Sequence, residues 1–262
     1  MIQSNYFTDN ADLQQHFGQI IDWPGIIELY ENGFADAAEF QKTKNPRYEM
    51  APSSVEEAQQ YYKEILNSAG EIAGMHVSQA AQAIDREGLK YTDNNVIHPQ
   101  KMIDVIQKYR DAGLPPIAFR RKYGGLGLPS VVKAMASELM YRADTSTTIA
   151  MGSMGLAGIL EKHASEEAKE KWIPKMIAEN YCVAMGLSEP DFGSDLPSVR
   201  TKAVQRDGKW YLTGTKRFQT VACGLNGGPA IMLALARTGE GTTGAKGLSF
   251  FIVERKNYKV TG

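Results

Sequence analysis

TKAVQRDGKWYLTGTKRF, residues 201–218, reads as two β-type runs folded back on a two-residue turn, Asp207-Gly208. An Asp-Gly pair between such runs favours positive φ at both turn positions, which suits the right-handed twist of paired strands. Two further strand-like runs follow, PAIMLALAR (229–237) and GLSFFIVER (247–255), separated by the Gly/Thr-rich TGEGTTGAKG. Before the hairpin the pattern is different: from Ser54 to about residue 180 apolar residues recur at helical spacing. Helices followed by strands of this kind predict an α+β chain, an N-terminal all-α domain and then an antiparallel β-domain.

The helical region divides at its own stop signals. Ser54 and Glu57 fit a capping box, and Ala58, Tyr61, Ile65, Ile72, Ala80 and Ile84 follow near helical spacing up to Gly88. Gly70 and Gly74 inside this window mark a bend or a close helix crossing. Pro99 can open a second helix carrying Met102, Val105, Ile106 and Tyr109, with Gly113 closing it. FRRKYGGLGLPS is a loop, after which Ser130 is expected to cap a helix bearing Val132, Met135 and Leu139. SMGLAGILEKHA and SEEAKEKWIPKMIAE complete the set, with Pro174 as a kink or break. The first fifty residues look irregular, with short helices at DLQQHFGQII and GIIELYENGF. The expected divisions are therefore an extension over 1–52, a helical domain over 53–180 and a β-domain over 181–262.

Composition excludes several functions. With 29 Lys and Arg against 30 Asp and Glu, the net charge is −1 and no basic stripe recommends a nucleic-acid partner. Cys182 and Cys223 have no metal-ligand spacing and do not make a disulfide scaffold. His16, His76, His98 and His163 are scattered, so no metal site is expected. No apolar stretch is long enough to span a bilayer, and MIQSNYFTDN lacks the layout of a secretory signal. A cytoplasmic-type compartment is the default. YGGLG at 123–127 lacks the order and the strand–helix setting of a dinucleotide fingerprint, and reads as a plain flexible loop.

The loop GLSEPDFGSD, 186–195, is rich in turn-formers and presents backbone N–H groups, as ligand-holding loops do. Glu189, Asp191 and Asp195 could form an acid–base pair. Their place around Pro190 in a turn favours a structural role, with the carboxylates taking local N–H groups.

CVAMGLSEPDFGSDLPSVRTKA followed by DGKWYLTGTKRFQT resembles the acyl-CoA dehydrogenase family. The family's pattern there is small–apolar–Ser/Thr–Glu–Pro–x–x–Gly–Ser–Asp, then a Lys–x–aromatic segment ending a strand. AAQAIDREG, YGGLGLP, ILEKHASEEAKEKWIPKMIAEN and GLSFFIVER are similar to its helical region and its next strand, in the family's order. The resemblance covers roughly residues 55–262 and implies an FAD-dependent oxidoreductase of fatty acid metabolism.

By position it places Met185, Leu187 and Ser188 along the flavin ring, and Gly193 and Ser194 near the cofactor and the bound acyl-CoA. Phe218, Gln219 and Thr220 match the segment that packs against the isoalloxazine. Phe192 stands where the family has a small residue, Phe218 where many members have Trp, and Gln219 where an apolar residue is expected. The resemblance further implies an acyl-CoA substrate, electron-transfer flavoprotein as partner and a homo-oligomer. It places the catalytic Glu in a C-terminal helical domain, so no catalytic base is nominated. The expectation is a fragment of a longer enzyme rather than a short chain working with a partner. An acyl-CoA oxidase or nitroalkane-oxidising relative, and a non-catalytic flavin- or acyl-CoA-binding protein, are the alternative readings.

Overall fold

The computed structural model describes residues 4–239 and 244–260, which form two compact units. One comprises the chain through Leu89 together with His98–Asn180; the other takes Lys90–Ile97 and the chain from Tyr181 on.

The first unit is helical. Its N-terminal part is built of α1 (Ala11–Gln15), a π-turn over His16–Ile20, α2 (Trp23–Glu31) and α3 (Ala35–Thr43). The two short helices expected in the first fifty residues are present, and α3 adds a third; the region supplies part of the core rather than being irregular. Phe7, Phe17, Trp23 and Tyr62 form a chain of ring contacts with centroids 5.7, 4.6 and 5.8 Å apart. Tyr62 lies on α4 (Val55–Glu71), which a π-segment over Ile72–Val77 joins to α5 (Ser78–Glu87).

The buried stripe of α4 is Ala58, Tyr62, Leu66 and Ala69, with Tyr61 and Ile65 only half-buried. It is offset from the expected one, with Tyr62 rather than Tyr61 turned inward, where its hydroxyl donates to the buried Glu31 carboxylate. Ser54 does cap α4, accepting from Glu57 N at 3.1 Å, while the Glu57 carboxylate turns to Ser53. Gly70 serves a close crossing: Tyr6 N donates to its carbonyl, and a Cβ there would lie 2.7 Å from Phe7 N.

Between α5 and the next helix, β1 (Lys90–Thr92) and β2 (Asn95–Ile97) form a hairpin over Asp93 and Asn94, both at positive φ. This hairpin departs from the continuous helical region expected from the sequence. Helices α6 (Gln100–Asp111) and α7 (Ser130–Ala143) bury the expected faces. Ser130 is the first residue of α7 rather than its cap, and Pro129 in the cap position offers no side-chain hydrogen bond.

The chain continues through α8 (Thr145–Met151), a 3-10 turn over Ser153–Ala157, α9 (Gly158–His163) and α10 (Glu166–Glu179). Pro174 sits inside α10 without ending it. The YGGLG segment is no plain loop. It packs around Arg121, which is 3% exposed, donates to Glu31 at 2.6 and 3.1 Å, and reaches the Gly127 carbonyl at 3.0 Å.

In the second unit, β3 (Cys182–Gly186), β4 (Lys202–Arg206), β5 (Lys209–Thr213), β6 (Ala230–Thr238) and β7 (Leu248–Glu254) form one sheet. The hairpin read from the sequence is β4–β5, with Arg206 opposite Lys209 and positive φ at Asp207 and Gly208. The α+β class holds, but the sheet is mixed rather than antiparallel. β6 runs antiparallel to β7 and parallel to both β3 and β4. Parallel pairing needs a long connection, and the chain between β3 and β6 supplies one by carrying a loop and a hairpin of its own. Cys182 and Cys223 are both buried and in no disulfide. Among the described residues no helix is long and apolar enough to cross a membrane.

Candidate functional site

The loop after β3 is organised around one carboxylate. Glu189 is 8% exposed, and it accepts from Arg200 N at 2.7 Å, Thr201 N at 2.9 Å and the Lys216 ammonium at 3.0 Å. Burial alone raises a carboxyl pKa, but the donors of Thr201, Arg200 and Lys216 outweigh it and hold Glu189 at about 2. A main-chain turn closes beside it, with Glu189 N donating to Phe192 O at 2.7 Å. Glu189 is a structural carboxylate, as the turn setting suggested. Asp191, by contrast, is exposed and pairs with Arg200 at 3.3 Å.

Lys216 follows the end of β5 and is buried with its partner, each side chain 6% exposed. Its ammonium also donates to the Leu187 carbonyl at 2.9 Å, and Arg217 N donates to the Ser188 carbonyl at 2.9 Å. These two bonds bring the Met185–Ser188 group and the Phe218–Thr220 group alongside each other. Met185, Leu187, Ser188 and Gln219 are half-buried and Thr220 is exposed. Phe218 is 82% exposed, held at φ 59° with the Arg217 guanidinium over its ring. Val221 is also at positive φ, 53°, which is unusual for a β-branched residue.

Gly193 and Ser194 lie farther along the loop and are exposed. A Cβ at Gly193 would meet none of the described residues within 4 Å. The following turn is tied to the sheet by Arg237 on β6, which donates to Pro197 O at 2.6 Å and Val199 O at 3.2 Å. The Arg200 guanidinium stacks over Phe192, 4.9 Å from its centroid.

This arrangement coincides with two family matches. Residues 59–180 match the model of the acyl-CoA dehydrogenase N-terminal domain, and residues 184–261 match that of the middle domain. The chain belongs to the acyl-CoA dehydrogenase family. The members of that family are FAD-dependent flavoprotein oxidoreductases. It is 32% identical over 209 residues to 3-methylmercaptopropionyl-CoA dehydrogenase of Ruegeria pomeroyi, covering 76% of this chain and 36% of that relative.

The fold is shared with butyryl-CoA dehydrogenase from Megasphaera elsdenii, at a TM-score of 0.61 and 24% identity over 74% of this chain and 48% of that one. A glutaryl-CoA dehydrogenase from Mycobacterium smegmatis in complex with FADH2 gives 0.57 and 21%, over 74% and 45%. The chain thus spans less than half the length of each of these proteins.

Lys216 and Arg237 are the residues that reading the sequence missed. Lys216 stood within the family segment, but one Lys in a short polar turn carries no periodicity to mark it as buried. Arg237 ends an apolar strand run, and nothing local reveals that its guanidinium reaches back to residues 197 and 199.

Proposed function

We propose that this chain forms the FAD-cradling part of an acyl-CoA dehydrogenase that desaturates an acyl-CoA thioester and passes electrons to an electron-transfer flavoprotein. The working enzyme is a homo-oligomer in this reading. When bound, FAD supplies the hydride acceptor; the protein supplies orientation and hydrogen bonds.

The residues present fit that cofactor. Leu187 N donates to Met185 O and Glu189 N to Phe192 O, whereas among the described residues Ser188 N–H and its hydroxyl have no partner. A fixed loop that leaves the Ser188 main-chain donor uncommitted, beside the segment that carries Phe218, is suited to an acceptor on the flavin's polar edge, and this observation carries the reading. The open face of Phe218 provides a stacking surface next to it. Gln219 Oε1 is buried without a hydrogen-bond partner, a polar atom that a ligand donor would satisfy. Met185, Leu187 and Thr220 complete the flavin contacts, and Gly193 and Ser194 reach toward cofactor and acyl-CoA. Glu189, at about 2, is too weak a base to take an α-proton at neutral pH, so the base lies elsewhere.

The test is to offer the protein FAD, remove the excess and record the visible spectrum, then add acyl-CoA anaerobically. Retained flavin bands that bleach on acyl-CoA addition support the dehydrogenase reading. Retained bands that shift without bleaching favour a non-catalytic flavin- and acyl-CoA-binding protein. A colourless protein overturns both.

A further inference from the structure

Lys216 touches the site through a single peptide group. The carbonyl that accepts its proton belongs to Leu187, and the nitrogen of that same peptide is Ser188 N. Among the described residues no peptide bond is cis, so the C=O and N–H of this unit point in opposite directions. The ammonium lies at one end, 2.9 Å from the oxygen, and the Ser188 N–H leaves the other end with no acceptor among the described residues.

A cation on the oxygen draws electron density through the amide and makes the N–H a stronger donor, because chained hydrogen bonds polarise one another. At 6% exposure the ammonium is little screened by water. Glu189 holds it in place at 3.0 Å, and is itself fixed by Arg200 N and Thr201 N. Arg217 N fixes the next carbonyl, Ser188 O, so the peptide cannot rotate to present its other face.

We infer that Lys216 is a positioning residue whose charge, relayed through the Leu187–Ser188 peptide, sets the donor strength of Ser188 N–H toward the bound flavin. The inference rests on the FAD reading above. It assigns the Glu189–Lys216 pair a purpose beyond holding two loop segments together. A donor made stronger in this way favours the electron-rich, reduced flavin over the oxidised one, so Lys216 raises the flavin's midpoint potential.

The experiment compares the unaltered protein with Lys216→Met, Lys216→Arg and the double variant Glu189→Gln/Lys216→Met, which leaves no buried charge unpaired. Three quantities are read: the Ser188 amide proton shift in FAD-free, 15N-labelled protein, the FAD dissociation constant and the midpoint potential of bound flavin. The expected result is an upfield Ser188 amide proton, about fivefold weaker FAD binding and a lower potential in Lys216→Met and in the double variant. Lys216→Arg, which keeps a buried cation donor, restores most of each. A folded double variant with the Ser188 shift and the flavin potential unchanged overturns the relay. If the unaltered protein retains no FAD, the cofactor reading falls and this role with it. The amide shift, measured without FAD, shows which of the two ideas failed.

Discussion

The Arg121 guanidinium grips both oxygens of the Glu31 carboxylate, at 2.6 and 3.1 Å, with the two residues 3% and 4% exposed. This pair joins α2, near the start of the chain, to the Gly-rich segment ninety residues later. Removing one partner strands the other as a buried charge. Arg121→Met should lower the stability of the helical unit by about 3–5 kcal/mol, measured by urea unfolding. Replacing both, as Glu31→Leu/Arg121→Met, should recover much of the loss. A single variant as stable as the parent would show that the pair contributes nothing.

Gly70 sits where the N-terminal segment crosses α4. Its substitution by Ala would place a Cβ 2.2 Å from Asn5 Oδ1 and 2.7 Å from Phe7 N. Backbone on one side and a hydrogen-bonded side chain on the other leave little room to adjust. Gly70→Ala should destabilise by about 1–3 kcal/mol despite the better helix propensity of Ala. A higher melting temperature in that variant would contradict the close crossing.

The Glu189 carboxyl is held at about 2 against an ordinary 4.5, so its ionised form stabilises the fold. That contribution is complete above the ordinary value and is lost as pH falls from 4.5 toward 2. Glu189→Gln should therefore differ from the parent by about 2–3 kcal/mol at neutral pH, with the gap closing on acidification. Chemical denaturation between neutral and strongly acid pH measures it. A gap that stays constant with pH would remove the carboxylate's charge from the explanation.

Phe218 contributes little to the protein's own packing, being 82% exposed and at φ 59°. Phe218→Ala should change stability by no more than about 0.5 kcal/mol. Phe218→Gly, which accepts that backbone angle without strain, should not be less stable. Both should weaken FAD retention on gel filtration. Unaltered retention in both variants would place the stacking surface elsewhere.

The legible parts of the fold were those written in local chemistry. Met102, Val105, Ile106 and Tyr109 announced the face of α6, and Asp207-Gly208 announced the β4–β5 turn. What stayed hidden depended on partners distant in the chain. The α4 stripe runs through Tyr62, whose hydroxyl donates to Glu31 thirty-one residues earlier, and Arg121 reads as a loop residue without that same carboxylate. Parallel pairing of β3 with β6 leaves no trace within either strand. Lys90–Ile97 carried a turn signal in Asp93-Asn94, masked by strands only three residues long. At the site, the resemblance drew attention to Ser188 and Phe218, and Glu189 was recognised as structural. The ammonium that unites them is visible only in three dimensions.

The small hairpin Lys90–Ile97 has a consequence for synthesis. It belongs to the second unit, where Arg255 donates to Asn94 O and Asn95 Oδ1, both at 3.3 Å, across some 160 residues of chain. As the chain emerges from the ribosome, this two-stranded hairpin appears long before any strand of the five-stranded sheet in its own unit. Its hydrogen bonds to Arg255 cannot form until the chain has been made that far. No single cleavage separates the units, because the chain passes from one to the other three times, after Leu89, Ile97 and Asn180. In sequence, the helical unit is interrupted by a piece of the other unit, so neither is made from one continuous stretch of chain.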